Sequence, residues 1–215
     1  METTQTQISM ETPAQKPRVN IKIFDIFDIS EVKIEDPGLK KYINLTPKYV
    51  LKSHGRDREK FGKTKVNIME RLMGLLLVPG HRGKKHTVMT SHISGKWAKE
   101  ANTVVQAFKI IEQKTKQNPV QVFVKAIENA APRDEITSIE YGGARYPQAV
   151  DVSPYRRVNI ALRNIVHGAQ DKSFGKKTKM ADALAAEIIN ASMESNESFA
   201  LTKKSETEKM ADSAR

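Results

Sequence analysis

Apolar residues recur with a helical period in several stretches of this chain and alternate in only one. Val66, Met69, Leu72, Met73 and Leu76 make the first stripe, and Pro79-Gly80 stops it. Trp97, Ala101, Val104, Val105, Phe108 and Ile111 make the second, with Ser91 or Ser94 as the expected cap. Asn118-Pro119 reads as a cap followed by a first helical residue, because proline lacks the N–H that a helix start leaves unpaired anyway. Val122, Phe123, Ala126, Ile127 and Ala130 follow, and Pro132 closes that element. Ser153-Pro154 repeats the signature ahead of Val158, Ala161, Leu162, Ile165, Val166 and Ala169. A fifth helix is expected from about Lys176 to Met193, with Met180, Leu184 and Ile188 on one stripe. The last, from about Ser195, has a poor stripe of Phe199, Thr202 and Met210, which predicts a short helix that frays.

The exception lies at Ile136–Val152. Ile139 and Tyr141 alternate, as do Val150 and Val152, with Gly142-Gly143 between the two runs. This predicts a β-hairpin whose turn uses glycine for positive φ. Two strands alone are marginal, so the base must pack on helices while the tip projects. Upstream, Met1–Val19 is rich in Thr, Gln and Pro and reads as a flexible tail. Ile21–Ile29 fits either a short strand or an anchoring turn, Asp36-Pro37-Gly38 is a turn signal, and Tyr42–Lys63 is a basic irregular arm. The expected class is mainly α: a bundle of about six helices with one protruding β-hairpin arm and a basic N-terminal extension. Its parts are a tail over 1–19, an extension with a basic arm over 20–63, and a helical domain over 64–215 whose hairpin spans about 136–152.

Charge changes this picture from a fold to a function class. The net charge of the 215 residues is +11, and Lys48–Lys99 alone carries 13 Lys/Arg against 3 acids, a balance of +10. Arg133–Met180 adds +4, with 9 Lys/Arg against 5 acids. Charge this localised fits a polyanion, since each cation placed near a phosphate releases condensed counterions. The plainer reading is a solvated basic surface. Candidate contacts in the arm are Lys52, Arg56, Arg58 and Lys60; in the loop after the first helix they are Arg82, Lys84 and Lys85.

A near-repeat, Phe61-Gly62-Lys63-Thr64-Lys65 and Phe174-Gly175-Lys176-Lys177-Thr178-Lys179, places Gly and Lys ahead of two predicted helices, where unpaired N–H groups suit phosphate. Lys172, Lys176 and Lys177 join the candidates on this reading. A nucleotide-binding P-loop fails on spacing, because the glycine it needs at 57 or 170 is Asp57 or Gln170. At the hairpin tip Arg145 can fork onto phosphate, and Tyr141 or Tyr146 can stack on an unpaired base.

Other chemistry is poorly supported. There is no cysteine, which excludes disulfides, thiolate zinc sites and Cys nucleophiles. His81, His86 and His92 lie among cations that oppose a divalent ion, so no metal or other cofactor is expected. No G-x-S-x-G or H-E-x-x-H motif occurs, and no catalytic residue is assigned. The longest apolar run, Leu75–Val78, is far below the ~20 residues of a membrane span, and METTQTQISM lacks the features of a secretory signal, so no membrane partner and a cytoplasmic location are expected. Two rival classes remain: a DNA-binding or regulatory protein, for which no basic helix-turn-helix unit is evident, and an RNA-cleaving enzyme, which needs clustered acids or histidines.

Three separate motifs resemble one family. The run ENAAPRDEITSIEYGGARYPQAVDVSPYRRVNIALRNIV (Glu128–Val166) is similar to the signature region of the universal small-subunit ribosomal protein seven family. FGKTKVNIMERLM (Phe61–Met73) is similar to its first helix, and DKSFGKKTKMADALAAEIINA (Asp171–Ala191) to its late helix. The resemblance covers roughly Lys48 to Arg215 and points to the archaeal/eukaryotic branch, archaeal by length. Tyr146-Pro147-Gln148 departs from the family's Tyr-Gln order, so Pro147 is expected at an outward-facing position or a bulge. The resemblance implies a structural protein of the small ribosomal subunit. It implies binding to the 3′ major (head) domain of the ribosomal RNA, initiation of head assembly, neighbouring head proteins, and a hairpin reaching exit-site transfer RNA and messenger RNA. By position it implies RNA contacts at Lys63, Lys65 and Arg71 near the first helix, at Arg156, Arg157 and Arg163 beside the hairpin, and at Arg145 on its tip.

Overall fold

The computed structural model describes residues 22–48, 51–53, 59–82, 87–88 and 95–215. A 3-10 turn at Gly62–Lys65 leads into α1 (Ile68–Leu76). Two short strands, β1 (His81–Arg82) and β2 (Thr87–Val88), pair antiparallel. Then come α2 (Trp97–Thr115), α3 (Pro119–Ala130), the strands β3 (Asp134–Tyr141) and β4 (Ala144–Asp151), α4 (Pro154–Ser173), α5 (Met180–Ser192) and α6 (Phe199–Asp212). The six helices and the long hairpin match the expected architecture.

α5 is the axle. Its sequence is Ala-rich and apolar on nearly every side, which lets α2, α3 and α4 approach closely around it. Ala181, Ala183, Leu184, Ala185, Ile188 and Ala191 are all buried there. One buried acid is also on this helix. Glu187 accepts from Lys172 Nζ at 2.6 Å, Ser198 Oγ at 2.8 Å and the Ala200 N–H at 3.0 Å, so its carboxylate ties α4 and the start of α6 to α5. Gly168 makes that crossing possible: a Cβ there would lie 2.8 Å from Glu187 Cδ and 2.8 Å from Phe199 Cβ.

The N-terminal extension belongs to this core. Ile23 and Phe27 exchange backbone hydrogen bonds of 2.9 and 3.0 Å across a tight turn, and both side chains are buried. The segment is therefore an anchoring turn rather than a strand, and Phe27 meets Phe108 edge to face, ring centroids 5.6 Å apart. Farther along, Gln121 donates to the Lys33 carbonyl and accepts from its N–H, as a neighbouring strand would. Glu128 Oε1 accepts from the N–H groups of Glu35 and Asp36.

Several expected boundaries moved. Asn118 caps α3 as predicted, accepting from Val120 N at 3.0 Å with Pro119 first in the helix. Ser153 precedes Pro154 as predicted, yet its side chain makes no capping bond. α2 begins at Trp97 behind Lys96, later than Ser91 or Ser94, which lie outside the described residues. α5 begins at Met180 rather than Lys176, because Gly175, with φ 68°, sits just past the end of α4 and turns the chain. α6 is a 14-residue helix, not a fraying stub. It buries only Ala200 and Ala211, and polar ties hold it: Lys204 Nζ donates to the Asn129 carbonyl at 2.8 Å, and Glu208 accepts from Arg133 N at 2.9 Å.

In the hairpin, Gly142 and Gly143 have φ of 58° and 81°, the type I′ geometry of a two-residue turn. Pairing runs unbroken from Tyr141↔Ala144 to Asp134↔Asp151, without a bulge. The closing pair of such a turn is hydrogen-bonded, so alternation makes Ser138↔Pro147 a non-hydrogen-bonded pair, and the missing proline N–H faces outward. The base is locked to the body. Arg156 forks onto both carboxylate oxygens of Glu135, Arg215 pairs with Asp134, and Val152 N donates to the Arg133 carbonyl at 2.8 Å.

Candidate nucleic-acid interface

A groove runs between α1 and α4 with the first turn of α2 across one end. One part, of about 690 Å³, is walled by Lys63, Arg71 and Trp97 and, from α4, by Tyr155, Asn159 and Arg163. A second part, of about 660 Å³, passes over Val78 and Val166 to His81 and His167. Gly74, Leu75 and Arg163 line both parts, so Arg163 stands at their junction. The α4 wall follows from helical spacing, since Tyr155, Asn159, Leu162 and Arg163 share one side at intervals of three and four.

The groove pairs cations with aromatic rings. Phe61 is held in the left-handed region at φ 62°, uncommon for a side-chain-bearing residue, and its ring is 55% exposed. It meets Tyr155 edge to face at 5.3 Å, and the Lys60 ammonium lies 5.5 Å from its centroid. The side chains of Lys63 and Arg163 are exposed and form no hydrogen bond or ion pair with the described residues. On the floor Glu70 is buried; Oε1 accepts from Ser53 N, and Oε2 has no partner among the described residues. At the far end, burial, with the charge of Arg82 second, holds the His167 ring below its ordinary pKa of 6.5.

The expected contact residues separate into two groups. Lys52, Lys60, Lys63, Arg163, Lys176 and Lys177 are exposed. Five others pair with groups of the protein itself, four of them partly or fully buried and Arg156 at the surface. Arg71 is buried; its guanidinium donates to the Tyr42 carbonyl at 2.8 Å and to Asn159 Oδ1 at 2.9 Å, and burial lowers its pKa. Arg157 pairs with Asp36 at 3.0 Å and donates to the Pro132 carbonyl at 3.1 Å. Arg82 pairs with Asp171 and donates to the His167 carbonyl at 3.2 Å. Lys172 holds Glu187, and Arg156 is committed to Glu135 although half its side chain is exposed. Lys65 pairs with Glu59 at 2.6 Å on the open surface. Arg56, Arg58, Lys84 and Lys85 lie outside the described residues, as do the expected tail at 1–19 and His54, His86 and His92.

The near-repeat does not make two phosphate cradles. At the first copy the start of α1 is already satisfied: Asn67 Oδ1 accepts from Met69 N at 2.9 Å, and the Asn44 carbonyl accepts from Ile68 N at 2.8 Å. At the second copy Gly175 and Lys176 follow the end of α4. Their lysines remain surface cations.

The hairpin differs from the groove. Tyr141, Tyr146, Ile139 and Val150 share one face by the observed register, at 81, 58, 45 and 40% exposure. Arg145, on the other face, reaches Glu140 at 3.5 Å with both groups open to solvent. From Asp134 to Asp151 the ribbon holds four acids and one arginine. The sequence placed Trp97 only on a buried stripe and Asn159 only on a polar face of α4, and it gave no site role to Tyr155, Gly74 or Glu70. The α4 spacing gave a signal for Tyr155 and Asn159; nothing in the pattern marked Gly74 or Glu70.

The family model described as "Ribosomal protein S7p/S5e" matches residues 39–215. A protein of Nanoarchaeum equitans called "Small ribosomal subunit protein uS7" is 52% identical over 198 residues, covering 92% of this chain and 100% of the relative. One of the same name from Archaeoglobus fulgidus is 47% identical over 194 residues, covering 90% of this chain and 94% of the relative.

Proposed function

This chain belongs to the ribosomal protein S7p/S5e family of the small ribosomal subunit, and we propose that it holds the head domain of the subunit's RNA through the α1–α4 groove. The family is structural rather than enzymatic. In this reading the protein binds the 3′ major domain, starts head assembly, and reaches exit-site transfer RNA and messenger RNA with its hairpin, in the cytoplasm and beside other head proteins.

The observation that carries the reading is the groove itself. Lys63 and Arg163 stand at its rim with no partner among the described residues, and Trp97, Tyr155 and the exposed Phe61 offer stacking faces. Unneutralised cations beside aromatic rings suit folded RNA with unstacked bases. The exposed Lys176 and Lys177 add phosphate contacts at the α4–α5 turn. The hairpin works by a different route: its acids outnumber its single arginine, so its affinity for RNA comes from Tyr141 and Tyr146 rather than from charge.

The test is binding to a transcript of the small-subunit RNA head domain across a salt series, with duplex DNA as competitor. Tight, salt-sensitive binding that survives the competitor supports the reading. Equal affinity for both nucleic acids contradicts it and favours a general polyanion surface or a DNA-binding regulator.

A further inference from the structure

We propose that the α1–α4 groove seats an unpaired RNA strand whose closest approach to the protein is at Gly74, on the backbone of α1. Two independent features of the groove point to an occupant of this kind.

The first is the glycine. Gly74 sits inside α1, where glycine is disfavoured relative to alanine because it gains more freedom on unfolding. Other glycines have a reason in the fold: Gly142 and Gly143 need positive φ, and Gly168 has no room for a Cβ. Gly74 has neither reason. Its φ is not positive, and a Cβ built there meets no atom of the described residues within 4 Å. The space above it opens into both parts of the groove. A bare stretch of helix backbone with open space above it, flanked by Arg163, fits the close passage of a ribose-phosphate strand.

The second feature is Glu70, one turn earlier on α1. Its Oε2 is buried in the groove wall and has no partner among the described residues. A buried carboxylate oxygen without a donor is costly, and its natural partner is an N–H group. Unpaired bases offer amino and imino donors that Watson–Crick pairing would consume, whereas phosphates offer only acceptors. Trp97 and Tyr155 flank the same space. Together these select a single strand over a duplex.

This inference rests on the RNA-binding reading, and its test separates the two. Gly74→Ala and Gly74→Leu are compared with wild type for thermal stability and for affinity to the head-domain transcript, with an RNA duplex as competitor. Gly74→Ala is expected to raise the melting midpoint by about 1–4 °C. It is expected to weaken RNA binding about tenfold, and Gly74→Leu about a hundredfold, with the salt slope unchanged because no phosphate contact is lost. A stabilised variant with wild-type affinity overturns the proposal, as does a destabilised Gly74→Ala, which would mean that the fold itself requires the glycine. Normal RNA affinity with reduced incorporation into reconstituted heads would assign the groove to a protein and overturn the RNA strand. Effective competition by the duplex would overturn the unpaired strand. Failure of wild type to bind the transcript would strike the RNA-binding reading itself.

Discussion

The α1–α4 groove and the cleft beneath α6 draw on the same kinds of residue and are electrically opposite. The α6 cleft, of about 1010 Å³, is lined by Asp36, Glu128, Glu194 and Glu206 as well as Arg157 and Lys204. Two of its cations are answered from within, Arg157 by Asp36 and Lys204 by the Asn129 carbonyl, while Arg133 and Lys209 lie exposed among its acids. In the groove Lys63 and Arg163 have no partner among the described residues. The same helix, α4, supplies Arg157 to one and Arg163 to the other. Six residues at 3.6 per turn separate them by about 240°, so one enters the body and the other faces out. A count of cations along the chain is therefore not a count of available charge.

The strongest way to sharpen this contrast is to break the interior and leave the groove intact. Glu187→Ala removes a fully buried acid and strands Lys172 and Ser198, so it should destabilise by about 3–5 kcal/mol in urea unfolding. RNA affinity per folded molecule should stay at the wild-type value. Gly168→Ala acts on the same crossing by overpacking and should cost about 1–3 kcal/mol. Arg71→Met leaves the Tyr42 carbonyl and Asn159 without their donor, at a cost of about 1–3 kcal/mol with no change in the salt slope of binding. A slope that falls with Arg71→Met would move that residue into the contact set.

A smaller effect concerns pH. The folded pKa of His167 lies below its ordinary 6.5, so the folded state binds fewer protons than the unfolded chain at that pH. Its contribution is fully present above 6.5 and is lost as pH falls from there toward the folded value. His167→Gln should remove that part of the loss as pH falls below about 6.5, read by thermal melts of the two proteins. An identical pH profile for both would mean that the ring titrates normally.

Much of the fold was legible because local chemistry decided it. Asn118-Pro119 and Gly142-Gly143 each specify one backbone conformation, and they fixed the start of α3 and the hairpin turn. α6 was expected as a helix, but its length was not legible, because alanines and polar ties hold it to distant partners, and an apolar stripe cannot report those. The start of α5 was misplaced because Gly175-Lys176 reads as easily as a helix start as it does a helix end. The site was half legible. Local charge located the basic surface, but which cations were committed inside depended on residues far away, such as Asp36 for Arg157 and Asn159 for Arg71.

The most direct test of the account is the salt dependence of head-domain RNA binding for the double substitution Lys63→Ala, Arg163→Ala beside Arg157→Met. The groove pair should lower the slope of log affinity against log salt by about two units, while Arg157→Met should leave the slope at the wild-type value and lower only stability. Equal slopes in the double variant and wild type, or a slope lowered by Arg157→Met, would contradict the division between exposed contact cations and internal ones.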